Sequence, residues 1–147
     1  MNDNIRIGSF QGSIVDNDFE CNLNKVKEVL NQTRDKGLDF LCFPETYLSG
    51  YSEQAVRESS IPMDDPCLLE FIRFSTAFDA VILVGMSERD NDKIFNTQIV
   101  VYRGKVQGGN RFMFGTNAPP TSCPVSSWLE SIISPTRTRI ISSAIPL

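Results

Sequence analysis

The 147 residues carry 14 basic and 18 acidic side chains, a net charge of −4, and no histidine. Without an imidazole the chain holds neither a Ser-His-Asp nor a Cys-His nucleophile nor a histidine-ligated zinc, and without a basic cluster it is not expected to bind nucleic acid. An apolar share of 41% with 10% aromatics is ordinary globular composition for one domain, so chemistry falls to carboxylates, lysines, thiols or hydroxyls.

Ile5 to Gln11 alternates and predicts a strand. Asp16 or Asn17 is expected to cap a helix, since a short polar side chain satisfies its free N–H groups. Phe19, Leu23, Val26, Val29, Leu30 and Thr33 follow at helical spacing, with Lys25, Lys27, Glu28 and Arg34 on the other faces. Gly37 is the natural stop. Leu38 to Phe43 is a short apolar run and predicts a buried strand ended by Pro44. A loop with Gly50 and a short helix within Ser52–Ser60 come next. Pro66 suits a first helical position, and Leu68, Leu69, Phe71 and Ile72 carry that helix to about Phe78. Ala80 to Met86 is the clearest strand. Arg89 to Asp92 is a turn cluster, Phe95 to Tyr102 a strand, Arg103-Gly104 a tight turn and Lys105 to Gln107 its partner. The order β-α-β-α-β-β-β predicts an α/β layer with a parallel start and a hairpin finish.

The character changes near Asn110. Residues 1–110 hold 11 basic and 17 acidic side chains, whereas residues 111–147 hold Arg111, Arg137 and Arg139 against Glu130. Five of the eight prolines and eleven Ser or Thr fall in this last stretch. Ser131–Ser134 and Ile140-Ile141 show neither helical nor strand continuity. Residues 1–110 are therefore expected to form the folded part and 111–147 an irregular, poorly ordered tail.

Four cysteines, none in a C-x-x-C pair, argue against a thiolate zinc site or a thioredoxin-like motif. Cys21, Cys42 and Cys67 are expected to pack in the interior, and Cys123 has no identifiable base or cation to activate it. No metal or cofactor is expected. Met1 to Phe10 lacks a basic region followed by a long apolar run, and no apolar stretch reaches about 18 residues. The expectation is a reduced, cytoplasmic protein with no membrane partner. Glu45 is the candidate for chemistry. It stands just past the C-terminal end of a buried strand, the edge where open α/β sheets bind ligands. Apolar neighbours there would disfavour its charged form and suit it to accept a proton.

Several segments together carry a family resemblance: IRIGSFQG, the helix with Asn22-Leu23-x-Lys25-Val26, LDFLCFPETYLSGY, and AVILVGMSERDNDKIFNTQIVVYRGKV. From Ile5 to Arg111 the chain resembles the N-terminal part of a nitrilase-superfamily, or carbon–nitrogen hydrolase, domain. The resemblance implies the first portion of an α-β-β-α sandwich, in which the second sheet face meets strands from the rest of the domain. It also implies a Glu-Lys-Cys mechanism on small amides, nitriles or N-carbamoyl compounds. The glutamate deprotonates the thiol, the thiolate attacks the substrate carbon, and the lysine stabilises the developing charge. Glu45 matches the glutamate through Phe43-Pro44-Glu45. The lysine follows a Gly-Lys-Val-x-Gly-x-Tyr-Arg-Lys pattern in the family; here Asn110 takes the tyrosine position and Phe112 the lysine position, while Lys105 belongs to the hairpin. Cys123 lacks the context of the family cysteine, and the second glutamate expected after the lysine has no match, Glu130 lying in the non-matching tail. The chain is thus read as a catalytically incomplete, truncated form. The alternative is a non-catalytic fragment that self-associates or pairs with a nitrilase-like chain.

Overall fold

The computed structural model describes residues 4–114 and 139–145. Among them one six-stranded sheet carries its helices on one face. Strand β1 (Asn4–Phe10) leads into helix α1 (Phe19–Thr33), β2 (Phe40–Cys42), α2 (Glu53–Glu58), α3 (Pro66–Phe74), β3 (Val81–Asp90), β4 (Lys93–Tyr102), β5 (Lys105–Met113) and β6 (Arg139–Ile145). The sheet order is β5-β4-β3-β2-β1-β6. The β1–β2 and β2–β3 pairs are parallel and the β3–β4–β5 meander is antiparallel, as the element order predicts.

The apolar stripe of α1 buries Leu23, Val26, Val29 and Leu30 against the sheet. Each such burial is worth about 1.5–3 kcal/mol. The α1 cap is Asp18, whose side chain accepts from the Cys21 amide, rather than Asp16 or Asn17. Asn17 takes φ 60°, outside the extended backbone an N-cap uses, and the Asp16 carboxylate is engaged by the Tyr51 amide. Gly37 ends the segment at φ 62° after a short 3-10 turn, Arg34–Lys36. Pro66 opens α3 with Asp65 as its cap. That helix stops at Phe74 and tightens into a 3-10 turn, Ser75–Ala77, short of the expected Phe78.

β3 runs four residues beyond Met86, because the turn cluster contracts to Asn91-Asp92 between the paired Asp90 and Lys93. Arg103 (φ 47°) and Gly104 (φ 77°) make the next two-residue hairpin turn, both left-handed as such turns require. Its return strand crosses residue 110 and ends at Met113.

The expectation that Ile140-Ile141 lacks strand continuity is corrected. Residues 139–145 form β6, parallel to β1 from the Asn4–Arg139 pair to Phe10–Ile145. An open edge offers its own N–H and C=O groups to a partner whatever the partner's side-chain pattern. The seven residues contain no proline, although Pro135 and Pro146 flank them. Residues 115–138 lie outside the described residues, and with them Cys123, Glu130 and Ser131–Ser134.

The opposite sheet face carries a smaller apolar cluster. Phe40, Val81 and Val100 are buried there, with Ile5, Ile7, Leu83 and Tyr102 packed around them. No helix among the described residues is long and apolar enough to cross a membrane.

Candidate functional site

The site begins where β2 ends. The Phe43 amide donates to the Leu83 carbonyl at 2.8 Å, and the Leu48 amide to the Gly85 carbonyl at 3.0 Å. The intervening turn therefore lies directly against β3. Gly85 permits this approach: a Cβ there would meet the Thr46 amide nitrogen and lie 2.8 Å from the Pro44 oxygen and 2.9 Å from the Glu45 carbonyl carbon. Thr46 takes the left-handed region at φ 49° to complete the turn.

A second loop braces this one. Asn22, buried in α1, donates to the Val15 and Leu48 carbonyls at 2.7 and 3.2 Å and accepts from the Val15 amide at 2.9 Å. The Tyr47 hydroxyl donates to the Ser13 carbonyl at 3.2 Å. Ser49 accepts from the Ser87 amide through its hydroxyl at 2.8 Å, and from the Asn17 amide through its carbonyl at 3.2 Å. Thr46 to Gly50 are buried in consequence, whereas Glu45 is exposed. The expectation of apolar surroundings for Glu45 is thus corrected. With the backbone on either side of it pressed onto Gly85, its own side chain turns to solvent.

The partner of Glu45 is Asn96 on β4, whose side-chain amide donates to Oε1. Asn96 pairs across the sheet with Ser87 on one side and Phe112 on the other. Tyr51, 56% exposed, also feels this carboxylate: partial desolvation and then the charge of Glu45 push its phenol above the ordinary tyrosine value. The assembly is a carboxylate held by a carboxamide. It can accept a proton and exchange hydrogen bonds with a small polar molecule.

Phe112, expected from the resemblance at the lysine position, stands opposite Asn96 on the neighbouring strand. Lys105 lies seven residues away along β5, about 20 Å at strand rise, and pairs with Tyr102. It cannot reach Glu45. Cys21 and Cys67 are exposed, contrary to the expected packing role. Cys42 is half-buried, and burial pushes its thiol up, away from the thiolate form. Among the described residues no group of three or more His, Cys, Asp or Glu could hold a metal. A cleft of about 420 Å³ between α2 and the β3–β4 turn is lined by Glu53, Val56, Arg57, Asp92, Lys93, Ile94, Met113 and Phe114, and does not include Glu45.

Sequence reasoning assigned no site role to Asn22, Gly85 or Asn96, which build the site, nor to Glu88, which is buried on β3 and holds the Thr97 hydroxyl and Arg111. The signal for Glu88 is in the alternation, because Ile82, Val84, Met86 and Glu88 share the buried face of one strand.

The carbon–nitrogen hydrolase family model matches residues 6–111. A glutamine-dependent NAD(+) synthetase of Thermotoga maritima is 33% identical over 93 residues, 62% of this chain and 16% of that protein. The crystal structure of XC1258 from Xanthomonas campestris, described as a CN-hydrolase superfamily protein with an arsenic adduct in its active site, aligns with a TM-score of 0.59 at 25% identity, covering 69% of this chain and 37% of that one. Saccharomyces cerevisiae Nit3, of branch 10 of the nitrilase superfamily, shares the fold with a TM-score of 0.60 at 20% identity, over 76% of this chain and 47% of that one. The chain thus spans about a sixth of the length of the first relative and under half of either structure.

Proposed function

Since this chain belongs to the carbon–nitrogen hydrolase family, we propose that Glu45 is its proton-accepting residue and that these 147 residues form an incomplete catalytic unit. The substrate class in this reading is a small amide, nitrile or N-carbamoyl compound. Glu45 takes the proton from an attacking thiol and hands it to the substrate nitrogen, which for an amide leaves as ammonia as the C–N bond breaks and the thioester forms; it then takes a proton from the water that hydrolyses the thioester and returns it to the departing thiolate. The observation that carries the reading is the placement of Phe112 opposite Asn96, whose carboxamide is held against Glu45. In this reading Glu45 is the base that the family's lysine would face, and the Phe112 ring stands at the lysine's position. A ring offers no cation to a developing oxyanion.

The test is ammonia release from simple amides, nitriles and N-carbamoyl amines by the purified 147 residues. The expected result is background. Loss of one member of such a catalytic set removes several orders of magnitude in rate. Release that disappears in Glu45→Gln would keep the role of Glu45 and overturn the incompleteness. Release that persists after repurification of Glu45→Gln would overturn the assignment of Glu45.

A further inference from the structure

The last stretch of β5 has no buried apolar face to hold its register. Its residues are exposed or half-buried throughout, so no apolar face specifies which side chains point where. The ladder to β4 slips between Val100 and Val101: Val101 pairs with Val106 and Val100 with Gly108, leaving Gln107 as an extra residue. Gly108 and Gly109 follow, with no side chains to mark a face; a Cβ at Gly109 would lie 2.9 Å from the Gln98 carbonyl oxygen, so the close approach there adds a local preference for glycine. A slip of one residue beyond this point would exchange the two faces of 110–113.

Arg111 is where the strand becomes specific. Its Nε lies 3.0 Å from Glu88 Oε2 and its Nη2 3.0 Å from Asp90 Oδ2. Its guanidinium lies 4.0 Å from the centre of the Phe95 ring. Glu88 is only 5% exposed and also accepts from the Thr97 hydroxyl at 2.7 Å. A buried carboxylate left without its cation is costly, so a β5 register that withdraws Arg111 from Glu88 is disfavoured. Because strand side chains alternate, fixing Arg111 on the Glu88 side puts its neighbour Phe112 on the other face, opposite Asn96.

We infer that Arg111 is a positioning residue: through Glu88 it sets the register of β5 and thereby decides which side chain stands beside the Asn96–Glu45 pair. The importance of that place rests on the proposed role of Glu45, but the register itself does not, and the test reads the register alone.

Cysteines at 96 and 112 report it. Directly opposed residues of an antiparallel pair have Cα atoms about 4.5–5.5 Å apart, within disulfide range. A one-residue slip turns their Cβ atoms to opposite faces. In the full chain, Asn96→Cys/Phe112→Cys is expected to form the 96–112 disulfide on mild oxidation, identified by linked-peptide mass. Adding Arg111→Ala should cut that yield at least threefold while amide protection of Ile82 and Val84 persists, and Arg111→Lys should restore part of it. If protection in β3 is lost with Arg111→Ala, Glu88→Gln decides, since it removes the charge and keeps the size. An unchanged yield in Arg111→Ala with β3 protected, or in Glu88→Gln, would overturn the inference.

Discussion

Asn96 on β4 donates its carboxamide to Glu45, 51 positions earlier in the chain, in the turn after β2. The two meet because that turn lies over β3 at Gly85, one strand from β4. Orientation of an exposed carboxylate is thereby imposed by a side chain on a rigid strand rather than by its own loop.

Gly85→Ala should disrupt this arrangement. The added methyl would press on Pro44, Glu45 and Thr46 backbone atoms, which cannot yield without moving the turn. Overpacking of this kind costs about 1–3 kcal/mol. The expected result is a lower thermal midpoint with faster exchange of the Leu48 amide, which donates to the Gly85 carbonyl. Gly108→Ala is the control: no atom lies within 4 Å of its would-be Cβ, and the change should stay within about 0.5 kcal/mol. Equal effects of the two substitutions would show that the turn does not rest on Gly85.

The parallel β1–β2–β3 start, the amphipathic α1 and the hairpin at Arg103-Gly104 were legible because each is written locally, as alternation, 3.6-residue spacing or turn residues. The position of Glu45 just past the end of β2 was legible from the strand-ending proline. Its surroundings were not, because they come from Gly85 and Asn96, which lie 40 and 51 positions further on. Asn22 stood in the sequence only as part of the motif Asn22-Leu23-x-Lys25-Val26, and its three hydrogen bonds, which join two loops, depend on chain outside that motif. β6 was illegible for a different reason: its pairing depends on the free edge of β1, about 135 positions earlier, and not on a pattern of its own.

Tyr47 makes the stability depend on pH at the alkaline end. Burial, with smaller contributions from Cys21 and Tyr51, pushes its phenol up to about 12. An unfolded phenol ionises near 10. Below that value both states hold the proton and the contribution is fully present. As pH rises from about 10 through 12 the unfolded state loses its proton first, and stability falls. Ultraviolet titration should show Tyr47 ionising last of the three tyrosines, with Tyr51 also displaced above its ordinary value. Tyr47→Phe should abolish that late step and, by leaving the Ser13 carbonyl without its donor, cost about 1 kcal/mol at neutral pH. Three phenols titrating together near 10 would contradict the burial of Tyr47.

Removing residues 139–147 tests the β1–β6 pairing. Seven residue pairs run from Asn4–Arg139 to Phe10–Ile145. Net hydrogen-bond contributions are about 0.5–1.5 kcal/mol each, but ordering each strand residue costs about 1–2 kcal/mol of backbone entropy. The two terms nearly cancel, so the global midpoint should change by less than about 2 kcal/mol in free energy. The local effect should be larger. Without β6, the β1 amides that face it lose their acceptors, while those facing β2 through the Ile7–Phe40 to Ser9–Cys42 pairs keep theirs. Hydrogen exchange should therefore speed up at alternate residues of β1 and leave β3 unchanged. The uncovered edge should also favour association, seen as concentration-dependent sedimentation. Uniform exchange along β1 before and after the deletion would show that β6 contributes no pairing in solution.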